Sequence, residues 1–326
     1  MNPWTLDLSN VSKSYSRGVY ALGSRNGGVD LRVGKGEVFG LLGPNGAGKS
    51  TLVKILTTVI RPTSASGTLL GNPIGHKPTL ARVGYLPEHH RFPDYLTGRQ
   101  VVDFFGDLSG GSRAARKARG DELLDFVGMR SWADQPIQSY SKGMRQRVGI
   151  AQALVNNPEF VILDEPTDGV DPVGRKEIRE ILMSLKARGT TVFINSHLLR
   201  ELELVCDRVA ILVKGALAAS GTLDELTRDS RRYEVVVLGP PPTWALEAGL
   251  STKPAGESST MLSMGTDDPE LVQPMIDRLR AQGTTIVSIT KVQESLEDLF
   301  MRAVIDPRTG RAAEPGADRS SRGGRS

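Results

Sequence analysis

Glu37-Val38-Phe39-Gly40-Leu41-Leu42-Gly43-Pro44-Asn45-Gly46-Ala47-Gly48-Lys49-Ser50-Thr51 is a short apolar run that breaks into glycines and then into a helix-forming segment from about Lys49. Its second half satisfies the pattern G-x-x-x-x-G-K-[ST], and it does so between a buried strand and a helix, the context that gives the pattern its meaning. Glycines let consecutive backbone N–H groups curl around phosphate oxygens, and the following helix presents unpaired N–H groups and the positive end of its dipole to the same anion. In this arrangement Lys49 supplies a point charge to β- and γ-phosphates, and the Ser50 hydroxyl is a ligand for Mg²⁺. A glycine turn that merely enters a helix does not call for Gly, Lys and a hydroxyl at these places. Gly43, Pro44, Asn45, Gly46, Ala47, Gly48, Lys49, Ser50 and Thr51 are therefore the candidate nucleotide-binding residues.

Working outward, short β-like runs alternate with helical ones. Phe160 to Leu163 precedes a helix from about Val173, Thr190 to Ile194 precedes one around Leu198 to Val205, and Arg208 to Val213 reads as a further strand. Continuous apolar strands separated by helices indicate an α/β fold with a mostly parallel sheet covered on both faces. The strand pattern stops inside the stretch 97–157, where Val101-Val102, Phe104-Phe105, Leu123-Leu124 and Phe126-Val127 recur at helical spacings, so a helical insertion is expected. Its Arg113, Arg116, Lys117 and Arg119 read as a solvated face. The first domain is placed at 1–228. A small α+β appendage follows at 231–305, with strands at Tyr233 to Leu238 and Thr284 to Ile289 around a helix faced by Leu271, Val272, Met275, Ile276 and Leu279.

Leu163-Asp164-Glu165 supplies a second requirement of phosphate chemistry. A carboxylate at the end of a buried strand is placed to hold Mg²⁺ through water, and a second beside it can orient or deprotonate the attacking water. Two acids at a strand end mean little alone; beside a phosphate loop they form a constellation.

Four further stretches carry a resemblance. Ser141-Lys142-Gly143-Met144-Arg145-Gln146-Arg147 resembles the signature motif of ATP-binding cassette (ABC) proteins. Thr167-Asp168-Gly169-Val170-Asp171-Pro172 resembles their D-loop, Asn195-Ser196-His197 their switch histidine, and Val83-Gly84-Tyr85-Leu86-Pro87-Glu88 stands where their Q-loop falls. The match covers about Leu6 to Leu226, and the wording is similar to that of ATPase subunits that pair with type-two export permeases. The resemblance implies a P-loop NTPase cassette with a small antiparallel β portion, binding ATP and Mg²⁺ and acting as an ATPase. It also implies a dimer, expected to be a homodimer, that buries two ATP molecules, each resting on Gly43 to Thr51 of one subunit and closed off by Ser141 and Gly143 of the other. Ser141 is also a good N-cap for a helix pointing its positive end at phosphate. By the same resemblance Glu165 is the general base or water-orienting residue, His197 contacts the γ-phosphate, Asp164 and Ser50 serve the metal, and Tyr15 stacks on adenine. Glu88 stands where many cassettes have glutamine; an acid there can ligate Mg²⁺ but adds negative charge beside phosphate. Lys142 and Met144 replace the more usual glycine and glutamine, while the two phosphate-contacting residues, Ser141 and Gly143, are kept.

Composition excludes other classes. The 326 residues hold 41 Lys plus Arg against 37 Asp plus Glu, with 39% apolar residues, which is ordinary globular usage and neither disordered nor polycationic. Of the net +4, five Arg against three acids place +2 in the Gly-, Ser- and Pro-rich stretch 306–326, expected to be a disordered tail. No apolar run reaches the length of a membrane span, no secretory signal is evident, and one cysteine, Cys206, cannot form an internal disulfide. These features lead to an expected place in the cytoplasm, and the resemblance adds what they do not show: a position peripheral on the inner face of the cell membrane, a membrane-spanning permease on a separate chain, and no specific nucleic-acid partner. Ribosome-associated relatives carry two cassettes and DNA-repair relatives a long coiled coil, whereas here there is one phosphate loop and only 90 residues lie between Ser50 and Ser141. A nucleotide sensor without turnover would be expected to lack Glu165 or His197.

Overall fold

A computed structural model describes residues 3–16, 18–25, 27–109, 112–256, 258–305 and 318–319. In chain order, β1 (Trp4–Ser16), β2 (Val19–Leu22) and β3 (Val29–Gly34) precede β4 (Val38–Leu42), which runs into α1 (Lys49–Leu56). After β5 (Ser64–Leu69), β6 (Asn72–Pro73) and β7 (Val83–Leu86) comes a helical stretch with α2 (Gly98–Ser109), α3 (Arg113–Phe126) and α4 (Lys142–Ala153). Then β8 (Phe160–Asp164), α5 (Pro172–Ala187), β9 (Thr191–Asn195), α6 (Leu199–Val205), β10 (Arg208–Val213) and β11 (Ala216–Thr222) alternate.

Strands β10, β4, β9, β8 and β7 lie side by side in that order and run parallel, with β11 antiparallel on the β10 edge. Facing them is an antiparallel sheet in which β1 pairs with β2, β3 and β5. Phe39, Leu41, Phe160, Ile162 and Phe193 from one face of the parallel sheet share a core with Leu6, Leu8 and Val33 of the antiparallel sheet and Leu52, Ile55 and Leu56 of α1. The alternate residues Val38, Leu42, Val161, Leu163, Val192 and Ile194 are equally buried on the other face. A strand with no wet face must be apolar along its whole length, which is why these segments read as continuous runs.

The Phe193 ring sits at the centre, stacked on Phe39 with centroids 5.7 Å apart and tilted against Phe160 at 6.1 Å. Phe193→Ala is expected to cost about 3–5 kcal/mol by emptying this fully buried site. Urea unfolding measures it: the midpoint should fall sharply at unchanged slope, and a midpoint near wild type would refute the central placement of this ring.

The chain divides into two compact units, 1–222 with 300–326, and 223–299. The second starts earlier than the 228–231 boundary expected above, because α7 (Leu223–Thr227) and the turn after it bond to residues 293–294: Gln293 donates to Thr227 Oγ1 and the Glu294 N–H to Ser230 Oγ at 3.1 Å. Taken by itself, this unit is a four-stranded antiparallel sheet built from β12 (Arg232–Leu238), β13 (Ser251–Gly256), β14 (Ser259–Met264) and β15 (Ile286–Val292), with α8 (Thr243–Glu247) and α9 (Pro269–Ala281). Val235, Val237, Trp244, Leu262, Val272, Met275 and Leu279 form its own core.

Two sequence expectations change, and a third falls mostly on residues the structure does not describe. Arg116 and Arg119 are not simply solvated: they are about a quarter exposed and pair with Asp107 at 2.8 Å and Glu122 at 2.9 Å, while Arg113 and Lys117 are exposed. The second unit's last strand runs over Ile286–Val292, not Thr284 to Ile289, because the Thr284 N–H still bonds Leu279 O at the end of α9. The disordered tail expected at 306–326 lies outside the described residues except at β16 (Asp318–Arg319), which pairs antiparallel with Tyr20 and Val19 of β2. An edge strand's unpaired backbone groups accept such an addition.

Candidate functional site

Three parallel strands deliver their last residues to one crevice. Asp164 at the end of β8 stands in register with Asn195 at the end of β9, and Asn195 in turn with Leu41 of β4, one residue before that strand's end. Crevices beyond the carboxyl ends of parallel strands are where α/β sheets place ligands. Here a cavity of about 730 Å³ is lined by Ala21, the whole loop Gly43 to Thr51, Glu88, Glu165, Asp168, Asn195 and His197.

The loop's shape depends on glycine. Gly48 occupies the left-handed region at φ 106° as the N-cap of α1, and a Cβ there would strike the Ala21 carbonyl. No side chain caps α1, so its first N–H groups stay directed at the cavity. Lys49 is buried, with Nζ donating to Gly43 O at 2.6 Å and Pro44 O at 3.3 Å. Burial pushes its ammonium below the usual lysine range, and Glu165, Asp164 and Glu88 oppose that shift. The three carboxylates thus share one field with this cation.

Asp164 is itself raised above the ordinary carboxylate range, first by burial, against a hydrogen bond from Asn195, with Glu88 and Glu165 adding to the rise. The Asn195 amide nitrogen donates to Asp164 Oδ1, while Asn195 Oδ1 is buried without a partner. Tyr85, pushed up to about 12 by burial and by Asp164 and Glu88, reports the same negative cluster. Glu88 sits at its rim, its side chain 45% exposed.

Glu165 is held in an uncommon conformation, φ 52°, with its N–H bonded to Asn195 O at 2.7 Å. A non-glycine residue in this region costs about 1–3 kcal/mol and persists only where surrounding structure enforces it. The consequence is directional: the side chain, 10% exposed, meets His197, whose Nδ1 lies 2.8 Å from Glu165 Oε2. The far side of the ring has Asp168 Oδ1 4.0 Å from Nε2.

Of the expected site residues, the loop Gly43 to Thr51, Glu88, Glu165 and His197 line the cavity together, and Asp164 is buried just behind it, bonded to the lining residue Asn195. Tyr15, Ser141 and Gly143 do not line the cavity. Tyr15 is 62% exposed on β1 with the Lys13 ammonium 5.2 Å from its ring centre. Ser141 caps α4, its Oγ accepting from the Met144 N–H at 3.2 Å, and Gly143 packs on Val170. Asn195 and Asp168 were missed as site residues. The available signal was a polar residue ending a buried apolar strand, and a carboxylate three residues after Glu165.

Comparison with known proteins agrees with this geometry. A family model described as ABC transporter matches residues 27–168. An uncharacterized ABC transporter ATP-binding protein of Synechocystis sp. is 44% identical over 276 residues, 84% of this chain and 77% of that protein. A daunorubicin resistance ATP-binding protein of Streptomyces coeruleorubidus is 36% identical (84% and 86% covered), and Nod factor export ATP-binding protein I of Rhizobium sp. is 33% identical (96% and 100%). Among solved structures, CbiO1 from Clostridium perfringens, part of the ABC transporter complex CbiONQ, superposes with a TM-score of 0.63 at 29% identity (69% and 91%). A dimeric ATP-binding cassette in a post-hydrolysis state, bound to ADP and Pi, gives 0.59 at 26% identity (67% and 98%). With relatives of this identity matched over more than three quarters of their length, the chain belongs to the ATP-binding subunits of ABC transporters, and it binds and hydrolyses ATP.

Proposed function

We propose that two copies of this chain close head to tail on two ATP molecules, and that the cycle of closing and opening drives a separate export permease from the cytoplasmic face of the membrane. The observation that carries the reading is the split of the site: the phosphate loop, Glu165 and His197 share one cavity, while Ser141 and Gly143 lie outside it on a capped helix start. A second subunit would supply that helix start to the nucleotide, and the dimeric relative with ADP and Pi is in keeping with this. Export is drawn from the drug-resistance and Nod-factor relatives. Among the described residues no helix is long and apolar enough to cross a membrane, so in this reading the pathway belongs to another polypeptide.

In the proposed mechanism the N–H groups of Gly46 to Ser50 and the Lys49 ammonium bind and orient the β- and γ-phosphates. Glu165 orients the attacking water and takes its proton at Oε1 or Oε2, and His197, bonded to Glu165, holds the γ-phosphate from the same side. Tyr15 would stack on adenine from the open edge of the cavity. The residues also fit Mg²⁺. Among those described, no group of three His, Cys, Asp or Glu could hold a metal alone, and a hydroxyl plus one or two carboxylates completed by nucleotide oxygens is the donor set magnesium takes. Ser50, Asp164 and Glu88 would hold it, with the unpartnered Asn195 Oδ1 free to accept from its water. When bound, the ion neutralises charge on the β- and γ-phosphates.

Copurification from the native membrane tests this reading. A polytopic permease recovered with the chain, whose presence stimulates ATP turnover, is the expected result; recovery with ribosomes instead would overturn it.

A further inference from the structure

We propose that Asp168 positions His197 for hydrolysis, and that Lys142, reaching Asp168 from the first turn of α4, ties that positioning to the seat of the α4 N-terminus. The inference rests on the head-to-tail reading above, in which Ser141 and Gly143 close on the nucleotide held by the other subunit. It adds a link from that contact to this subunit's own hydrolytic pair.

The link is a continuous row of side chains. Lys142 Nζ donates to Asp168 Oδ2 at 2.8 Å, Asp168 Oδ1 faces His197 Nε2 at 4.0 Å, and His197 Nδ1 meets Glu165 Oε2 at 2.8 Å. One imidazole therefore stands between two carboxylates, hydrogen-bonded to Glu165 at Nδ1 and facing the Asp168 charge across 4.0 Å at Nε2, and a carboxylate held in place by Lys142 biases where the ring settles. Lys142 holds the Asp168 carboxyl below the usual range, with lesser help from His197 and Arg175. The lysine stem lies down on the loop: Gly169 is at φ 61°, and a Cβ there would collide with the Lys142 side chain.

The backbones beneath are in contact too. A Cβ on Gly143 would come within 3.1 Å of Val170 Cγ1 and 3.8 Å of Gly174 Cα, and one on Gly174 within 2.6 Å of Val170 Cγ1. The start of α4, the loop 167–171 and the start of α5 are thus packed through two glycines and one buried valine, and a shift of α4 carries Asp168 with it. Stability does not account for the ion pair. Its side chains are 52% and 48% exposed, and pairs so exposed contribute only about 0–1 kcal/mol to folding.

The test uses the full-length chain with the variants Lys142→Met, Lys142→Arg, Asp168→Asn and the double variant Lys142→Met/Asp168→Asn. Unfolding midpoints should match wild type. Lys142→Met and Asp168→Asn should each lower kcat about tenfold with the KM for ATP little changed, as misplacement of a catalytic group does. Lys142→Arg should recover most of the loss, and the double variant should be no slower than Asp168→Asn, since both changes cut the same row. Wild-type kcat in Lys142→Met, no recovery with arginine, or additive losses would overturn the proposal. Gel filtration of Glu165→Gln with ATP separates the two levels: absence of a dimer overturns the head-to-tail reading and this proposal with it. A dimer together with a wild-type kcat in Lys142→Met overturns this proposal alone.

Discussion

Glu165→Gln is expected to slow ATP hydrolysis by about a hundred- to ten-thousand-fold, the range lost when a general base is removed, while ATP binding persists. The exchange keeps the size of the side chain and its reach to His197, so it tests chemistry more than shape. The amide can still orient water but cannot take its proton; a thousandfold loss corresponds to about 4 kcal/mol of barrier. The backbone at φ 52° is imposed by the bond from the Glu165 N–H to Asn195 O, which the variant retains, so the loop should stay where it is. Because hydrolysis is blocked and binding is not, ATP should accumulate a closed dimer that the wild type passes through transiently. Phosphate release and gel filtration with ATP give both readouts. Turnover near wild type would remove Glu165 from the base role, and slow turnover without a dimer would keep Glu165 as the base but overturn the head-to-tail reading.

What could be read from the residues follows burial. The central strands were legible because both faces of the parallel sheet are covered, so Phe160 to Leu163 and Val209 to Leu212 are apolar throughout. The hairpin of β13 and β14 was not legible: Ser251–Gly256 is half serine, proline and glycine and mostly exposed, so it carries neither a strand composition nor an apolar face. The same contrast runs through the site. Gly43 to Thr51 announces itself because the backbone of a phosphate cradle demands particular residues at fixed spacing. Asn195 and Asp168 act through register and reach, Asn195 because β8 and β9 pair parallel with Asp164 opposite it, Asp168 because the turn after Glu165 brings it back to His197. Neither relation is visible along one dimension. Ser141 and Gly143 are the converse case: their motif is plain in the residues, yet a single chain leaves them away from the loop they are expected to serve.

Lys49→Ala is expected to weaken ATP binding about a hundredfold, close to 3 kcal/mol, the scale for truncating one partner of a buried charge-assisted contact. Two effects add. The variant loses the cation that would bond the β- and γ-phosphates, and it leaves Glu165, Asp164 and Glu88 without the charge that offsets their mutual repulsion. A triphosphate brought up to three uncompensated carboxylates meets repulsion that water screens poorly in a half-enclosed cavity. The backbone N–H groups of the loop and the bare start of α1 remain, so affinity should fall in the order ATP, ADP, AMP, with AMP least affected because Lys49 addresses the outer phosphates. Arginine should not rescue the loss: Lys49 is buried with Nζ against Gly43 O and Pro44 O, and a planar guanidinium on that stem needs room the loop does not offer. Calorimetric titration of the three nucleotides into wild type and Lys49→Ala decides the matter. Equal losses for ATP and AMP would mean that the variant has deformed the loop, and unchanged ATP affinity would remove Lys49 from the phosphate site.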